Sequence, residues 1–238
     1  MKRNILVLAL LLSSILFGQN KNIYVEYVLK INDEKDLFST NPDLRRLFSN
    51  SMSNAHNLSF ALIVNTSGSK FYDKQNLIAD DGNKTKSPSL IFSSYNGVVF
   101  QLKDSIYVAY SSLGKGMMVK QGVKDNWVLH NETKMIDNYL CYKATTTDDI
   151  ENGKGKTFHH PVIAWYCPKI PYSYGPNGFS KLPGLILELQ VRNVVFGANK
   201  IDLNSELDFD SSFLSSIKTI TLEELNKKID DEMQLLKG

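Results

Sequence analysis

The chain has 238 residues, 42% of them hydrophobic, and carries 27 basic and 25 acidic side chains. Once Lys2 and Arg3 of a predicted export signal are set aside, 25 basic residues balance 25 acidic ones, so the basic excess of a nucleic-acid-binding protein is missing. The length is sufficient to bury a core without metals or disulfide bonds.

The N-terminus has the pattern of a secretory signal peptide. Its basic residues precede an apolar run over residues 5–12, and small and polar residues follow up to Gly18. We expect cleavage near Gly18 or Gln19, which separates a signal peptide at 1–19 from an exported β-rich domain at 20–238. No later stretch approaches the roughly 20 apolar residues of a spanning helix, so we predict no membrane span. The mature protein is expected to be soluble and either periplasmic or associated with the outer membrane.

The first mature elements are a strand and a helix. The stretch Ile23–Ile31 alternates apolar and polar side chains, which predicts a half-buried strand. Asn41 then precedes Pro42 and a series of apolar residues at helical spacing. We therefore predict a short amphipathic helix with Asn41 as its N-cap.

Strand-like runs separated by turn residues recur about every ten residues from Leu58 onward, a spacing typical of antiparallel sheets. Asn96-Gly97 lies between two apolar runs and predicts a hairpin turn. Near the end, Thr221 precedes apolar residues at helical spacing and predicts a capped C-terminal helix. The expected fold is a single, mainly β domain, a curved antiparallel sheet or partial barrel with a short helix near the start and one at the end.

Two blocks of sequence, Trp127–Thr146 and Ala164–Leu189, resemble the GLPGLI family of exported proteins from Bacteroidetes-type bacteria. The residues that carry the resemblance are Trp127, Glu132, Thr133, Lys134, Cys141, Lys143, Ala144, Ala164, Trp165, Ile170, Pro171, Gly175, Pro176, Leu182, Pro183, Gly184, Leu185 and Ile186. The resemblance implies export and supplies no catalytic residue, because the family has no established activity.

The chain departs from the family pattern at two positions. Lys181 stands where the family name has its first glycine, which predicts that position 181 does not need backbone angles reserved for glycine. Cys167 stands where a small hydroxyl residue is expected, and it supplies a second cysteine to pair with Cys141.

The segment between the second block's Cys167 and Gly184 is rich in proline and glycine. Proline cannot donate to a strand ladder, so we predict an ordered loop over residues 168–183. Ordered loops of this length are often functional, and this loop contributes the candidate binding residues Tyr172, Tyr174, Phe179 and Lys181. In the alternative interpretation, the aromatic side chains close the open end of the core.

The only two cysteines, Cys141 and Cys167, are expected to form a disulfide bond in an oxidising compartment. The turn-rich residues between them suit a hairpin that is symmetric about Lys154, and this symmetry places position 141 directly opposite position 167. Opposed residues of an antiparallel pair have Cα atoms roughly 4.5 to 5.5 Å apart, a separation that a disulfide accepts.

No pattern of metal ligands or catalytic residues stands out. His159 and His160 are adjacent in a predicted strand and face opposite sides, so we propose no metal and no cofactor. Neither a nucleophile elbow nor a phosphate-binding loop is present. The triplet Asp104-Ser105-Ile106 matches an acceptor pattern for O-glycosylation, so Ser105 is a candidate modification site.

These observations leave three hypotheses for function. The first is an envelope binding or accessory protein for an apolar or peptide ligand, because a partial barrel offers a concave face. The second is a hydrolase with a site in the 168–183 loop. The third is a structural component that contacts outer-membrane proteins.

Overall fold

The computed structural model describes residues 22–75, 87–110, 113, 116–152 and 156–235. The predicted signal peptide lies outside these residues. Within them the chain forms twelve strands and three α-helices. The strands are β1 Asn22–Ile31, β2 Ser59–Val64, β3 Ser69–Asp73, β4 Gly97–Leu102, β5 Ser105–Tyr110, β6 Met117–Gly122, β7 Val128–Ile136, β8 Tyr139–Asn152, β9 Lys156–Cys167, β10 Leu185–Val191, β11 Val194–Ser205 and β12 Lys218–Ile220. The helices are α1 Pro42–Asn54, α2 Pro88–Ile91 and α3 Leu222–Leu235.

All twelve strands belong to one open sheet, in the order β12-β6-β5-β4-β3-β2-β1-β11-β10-β9-β8-β7. Every neighbouring pair is antiparallel except β12 with β6, which is parallel. The prediction of a mainly β fold with two flanking helices is therefore confirmed, and the short β12 makes the sheet mixed. The strands at the two ends of this order are β12 and β7.

The helix caps lie where the sequence places them. The Asn41 side chain accepts a hydrogen bond from the backbone N–H of Leu44 at 3.1 Å, and Pro42 opens α1. Thr221 accepts from the backbone N–H of Glu224 at 3.1 Å, while the Glu224 carboxylate accepts from the Thr221 N–H at 2.7 Å. This reciprocal arrangement is a capping box. None of the helices among the described residues is long and apolar enough to cross a membrane.

The hairpin predicted at Asn96-Gly97 is wrong. The apolar residues before it form the short helix α2 and a turn, because Pro88 occupies the first helical position instead of continuing a strand. Gly97 is the first residue of β4, with φ +148°, and a Cβ there would lie 1.9 Å from the Ala109 carbonyl oxygen. The glycine therefore serves a close approach between β4 and β5 rather than a hairpin turn.

The hairpin predicted about Lys154 is confirmed. Strands β8 and β9 pair from Tyr142 with Tyr166 to Asn152 with Lys156, and each pair is symmetric about position 154. Strand β7 pairs with β8 only as far as Thr145, so the outer part of this hairpin extends past β7.

The main core contains side chains from strands in both halves of the sheet and from α1. Its centre is aromatic, with the parallel rings of Phe60 and Phe71 5.6 Å apart and Phe196 edge-on to Phe60 at 5.1 Å. The fully buried Tyr27 donates its hydroxyl hydrogen to the Ile186 carbonyl oxygen at 2.6 Å. This bond links β1 to the start of β10, just after the proline-rich segment.

Candidate functional site

The proline-rich loop, residues 168–183, connects β9 to β10 and contacts the distant strands β4 and β5. Gln101 on β4 donates from Nε2 to the Ser180 hydroxyl at 2.8 Å, and both side chains are buried. Lys181 forms an ion pair with Asp104 in the β4–β5 turn. These contacts hold the two halves of the sheet together, as expected of an ordered loop.

Three glycines around the loop are needed for close packing. A Cβ on Gly184, where φ is +154°, would lie 2.2 Å from the Cys167 carbonyl oxygen. A Cβ on Gly175 would lie 2.7 Å from the Cβ of Ile186. Gly178 has φ +78° and packs on Ile106. The glycines therefore let the loop turn back tightly onto the start of β10.

Position 181 holds lysine in a left-handed backbone conformation that is not reserved for glycine. Lys181 has φ +69°, in the left-handed region that glycine adopts without cost. A lysine reaches this conformation at a penalty, and here the ion pair to Asp104 accompanies it. The hydrogen bond from Lys181 holds the pKa of the Asp104 carboxyl below its usual value.

The candidate binding residues of the loop pack against the protein itself. Tyr172 and Tyr174 are half-buried against the main core, and burial raises the pKa of Tyr174. Phe179 meets the ring of Trp127 edge-on, with ring centroids 6.1 Å apart. Lys181 has its Asp104 partner. These contacts favour the interpretation in which the loop closes the core.

Most of the motif residues within the loop and at the start of β10 also pack against the protein itself. Leu182, Leu185 and Ile186 are buried, as are Gly175, Pro176 and Gly184, whereas Pro183 is exposed. Trp127 donates from Nε1 to the Ser180 carbonyl oxygen at 2.8 Å. The structure thus brings the first sequence block into direct contact with the second.

A row of charged motif residues crosses strands β7 to β10. Lys134 Nζ lies 2.6 Å from the Glu188 carboxylate and 4.6 Å from the centre of the Trp165 ring. Lys143 Nζ lies 2.9 Å from the Glu132 carboxylate. Each of these charges has a partner of opposite sign. The ion pairs connect neighbouring strands of the sheet and leave no unpaired charge among these four residues for a ligand.

The two cysteines are free thiols in the structure, so the predicted disulfide is not formed there. Both are fully buried, and the Cys141 thiol donates to the Tyr139 carbonyl oxygen at 3.6 Å. Burial, with a contribution from the neighbouring Cys167, raises the pKa of the Cys141 thiol to about 12. The Cys141 thiol is therefore protonated at neutral pH.

The histidines pair with single neighbours. His159 Nδ1 lies 2.7 Å from Asp149 Oδ1, and the ring of His160 stacks on Phe158 with centroids 6.5 Å apart. His130 Nε2 lies 2.8 Å from the Thr145 hydroxyl. Within the described residues no group of three potential ligands is assembled. Ser105, the candidate glycosylation site, is the partly exposed first residue of β5.

The described structure contains two clefts. One, of about 490 Å³, is lined by Asn22, Asn65, Thr66, Ser67, Asp208, Phe209, Asp210, Ser211 and Ser212. The other, of about 260 Å³, lies between α1 and α2 and presents polar and apolar surface in similar amounts. Apolar small-molecule sites are lined mainly by hydrophobic side chains, so the larger cleft, whose surface is mostly polar, does not suit such a ligand.

The open edge of β7 is the apolar surface of greatest interest. Val128, Leu129 and Met135 on β7 are 58%, 55% and 60% exposed, and Leu140, paired with Met135, is 46% exposed. A β-bulge between Leu129 and Thr133 interrupts the ladder with β8. No strand of the described residues bonds to the other side of β7.

Sequence reasoning missed several residues that hold this region. Gln101 and Ser180 meet across 79 positions, and Glu188 is the partner of Lys134. A polar residue inside the apolar run of β4 was the available signal for Gln101. Nothing local to Ser180 or Glu188 distinguishes them from ordinary surface residues.

The comparisons with known proteins support the coarser part of the resemblance. A model of a Bacteroidetes-type family, described as a protein of unknown function (Porph_ging), matches residues 153–188. This segment includes β9, the proline-rich loop and the first residues of β10. The GLPGLI name itself is not confirmed. No curated protein matches the chain.

Among solved structures, PNGF-II is similar in two crystal forms, with TM-scores of 0.52 and 0.53 at 13% and 14% identity. The similarity covers 87% of this chain and 32% of the PNGF-II chain, so this chain spans about a third of that protein's length. At this identity the likeness concerns the fold alone.

Proposed function

We propose that the protein is an exported, non-catalytic binding or accessory protein of the cell envelope, of the GLPGLI type, that takes an extended peptide segment at the free edge of β7. The observation that carries this proposal is the position of β7 at the end of an open sheet with exposed apolar side chains. An extended peptide can add to such an edge through main-chain hydrogen bonds, and neighbouring side chains then select its sequence.

The orientation of the β7 backbone supports this role. Residues that flank a two-residue turn exchange hydrogen bonds, and bonding alternates along an antiparallel ladder. Ile136 and Tyr139 flank such a turn, so the N–H and C=O groups of Thr133 and Met135 point away from β8. An added strand would bond to these two residues and place an apolar side chain beside Met135 and Leu140.

The other hypotheses have less support. The larger cleft is polar, which disfavours a small apolar ligand there. We do not propose a hydrolase in the loop, because Ser180 and Lys181 are engaged by Gln101, Trp127 and Asp104. A structural role in contact with outer-membrane proteins remains the second candidate, since the same edge would serve a protein partner.

Native mass spectrometry of protein isolated from its own envelope fraction tests the proposal. Wild type is expected to retain a peptide or protein segment, and Thr133→Pro is expected to lose it because proline removes the outward N–H. Thr133→Val keeps the backbone and should retain the partner. Retention by the proline variant, or no retained partner on wild type, would overturn the proposal. The mass of the partner separates a peptide ligand from an envelope protein.

A further inference from the structure

The cysteine pair has a geometry that the proposed function does not use. Every pair of the β8–β9 ladder is symmetric about position 154, so the same register continued one position beyond Tyr142 and Tyr166 brings Cys141 opposite Cys167. The two thiols are hydrogen-bonded neighbours. Directly opposed residues have Cα atoms roughly 4.5 to 5.5 Å apart, within the range of a disulfide. Both cysteine side chains are 0% exposed.

We propose that Cys141 and Cys167 form a cross-link whose redox state is set while the chain folds, so that the folded dithiol and the folded disulfide do not interconvert unless the surrounding strands open. The structure described above is the dithiol form. This inference concerns the chain's own thiols and stands independently of the peptide-binding proposal.

The packing around the thiols prevents the folded dithiol and the folded disulfide from interconverting. Cys141 is flanked by its β7 partner Lys134, and Cys167 is flanked by its β10 partner Leu185. Ile170, 1% exposed, belongs to the same core cluster and donates its N–H to the Cys167 carbonyl oxygen at 3.1 Å. An external disulfide therefore cannot reach either sulfur without displacing β7, β10 or the loop.

The chemical state of the thiols adds to this steric protection. Thiol–disulfide exchange requires a thiolate that attacks a sulfur in line with its S–S bond. Because burial raises the pKa of the Cys141 thiol to about 12, little of it is thiolate at neutral pH. In the unfolded chain both thiols regain ordinary reactivity.

The oxidant is a disulfide compound, either a protein disulfide or oxidised glutathione. One cysteine loses a proton, and its thiolate attacks the oxidant, breaks that S–S bond and releases one oxidant thiol. The second cysteine then loses a proton, attacks the mixed disulfide and releases the other oxidant thiol. Two electrons pass from the cysteine pair to the oxidant, and the two protons are taken up by the oxidant's thiols.

Thiol counting on the full chain tests the proposal, with oxidised glutathione as the probe. The folded, reduced protein is expected to keep both thiols during prolonged incubation. Protein refolded from denaturant with the same reagent is expected to lose both and to yield one cross-linked peptide, Cys141 to Cys167, on non-reducing mapping. The disulfide form should then melt roughly 10 °C higher and resist reductant until it unfolds.

Each step can fail separately. Rapid loss of thiols in the folded protein would overturn the claim that packing prevents exchange. Two free thiols after oxidative refolding, or glutathione adducts without a cross-link, would overturn the pairing. Cys141→Ser serves as a control that tests access alone, because its single Cys167 should stay unmodified when folded and should form an adduct when unfolded.

Discussion

Gly184 packs directly against the backbone of Cys167: a Cβ built on Gly184 would lie 2.2 Å from the Cys167 carbonyl oxygen. The two residues bracket the proline-rich loop, so this contact closes its base. Leu185, the next residue, pairs with Cys167 in the β9–β10 ladder and donates its N–H to the Ile170 carbonyl oxygen at 3.0 Å. The missing side chain at Gly184 thus lets the end of the loop pack directly against the end of β9, where β10 begins to pair.

Gly184→Ala should destabilise the protein strongly, because the new methyl group meets backbone that cannot move aside and φ is +154°. We expect a loss of about 3 kcal/mol in the free energy of unfolding, measured by denaturant titration. Gly197→Ala is the control, since nothing lies within 4 Å of a Cβ at that position. Equal losses in the two variants would contradict the steric explanation.

Ser180→Ala should remove the hydrogen-bond partner that the Gln101 amide N–H has among the described residues. The Gln101 Oε1 atom already lacks a partner, so the truncation adds a second unsatisfied group to a side chain that is 2% exposed. The expected cost is about 2 kcal/mol. The double variant Ser180→Ala, Gln101→Met removes both polar groups and should recover part of the lost stability. A double variant less stable than Ser180→Ala would show that the broken hydrogen bond is not the cause of the loss.

Lys181 offers a test of backbone strain against an exposed ion pair. Lys181→Ala and Lys181→Gly both remove the contact with Asp104, but only glycine adopts φ +69° freely. The glycine variant should therefore be more stable than the alanine variant by about 1 kcal/mol in chemical denaturation. An alanine variant as stable as the glycine variant would mean that the loop relaxes at this position.

Asp208 and Asp210 should make the segment after β11 sensitive to acid. A hydrogen bond from Asn65 holds the pKa of Asp208 below its usual value, and the backbone N–H of Ser212 does the same for Asp210. A carboxyl whose pKa is lowered by folding stabilises the protein above its unfolded pKa, and this contribution disappears as pH falls through the folded value.

Asp208→Asn should therefore lower the melting temperature at neutral pH and approach wild type as pH falls below about 4. The measurement is the melting temperature of both proteins across this pH range. A constant difference between them at every pH would show that ionisation of Asp208 does not contribute.

Features that depend on nearby residues were predictable from the sequence. The caps at Asn41 and Thr221 follow from side chains that bond to backbone groups three residues away. The register of the β8–β9 hairpin follows from the turn residues at its centre. In both cases the partners are close along the chain, so residue type and spacing identify them.

Features that depend on packing between distant segments were not predictable from the sequence. Asn96-Gly97 has the composition of a hairpin turn, yet the segment before it is a helix and Gly97 serves contact with β5. Lys181 adopts a left-handed backbone conformation, which its residue type does not indicate. The disulfide predicted between Cys141 and Cys167 is not formed in the structure, although the β8–β9 register points to their pairing.

Local patterns in the sequence are enough to predict that the chain is mainly β, where its principal helices begin, and that residues 168–183 are not an interior strand. Periodicity, capping and the missing proline N–H all act within a few residues. The contacts between Gln101 and Ser180 and between Lys134 and Glu188, and the position of β7 at an edge of the sheet, depend on tertiary packing. These outcomes depend on the order in which twelve strands pair, which is set by the summed burial of side chains far apart in the chain and not by any local pattern.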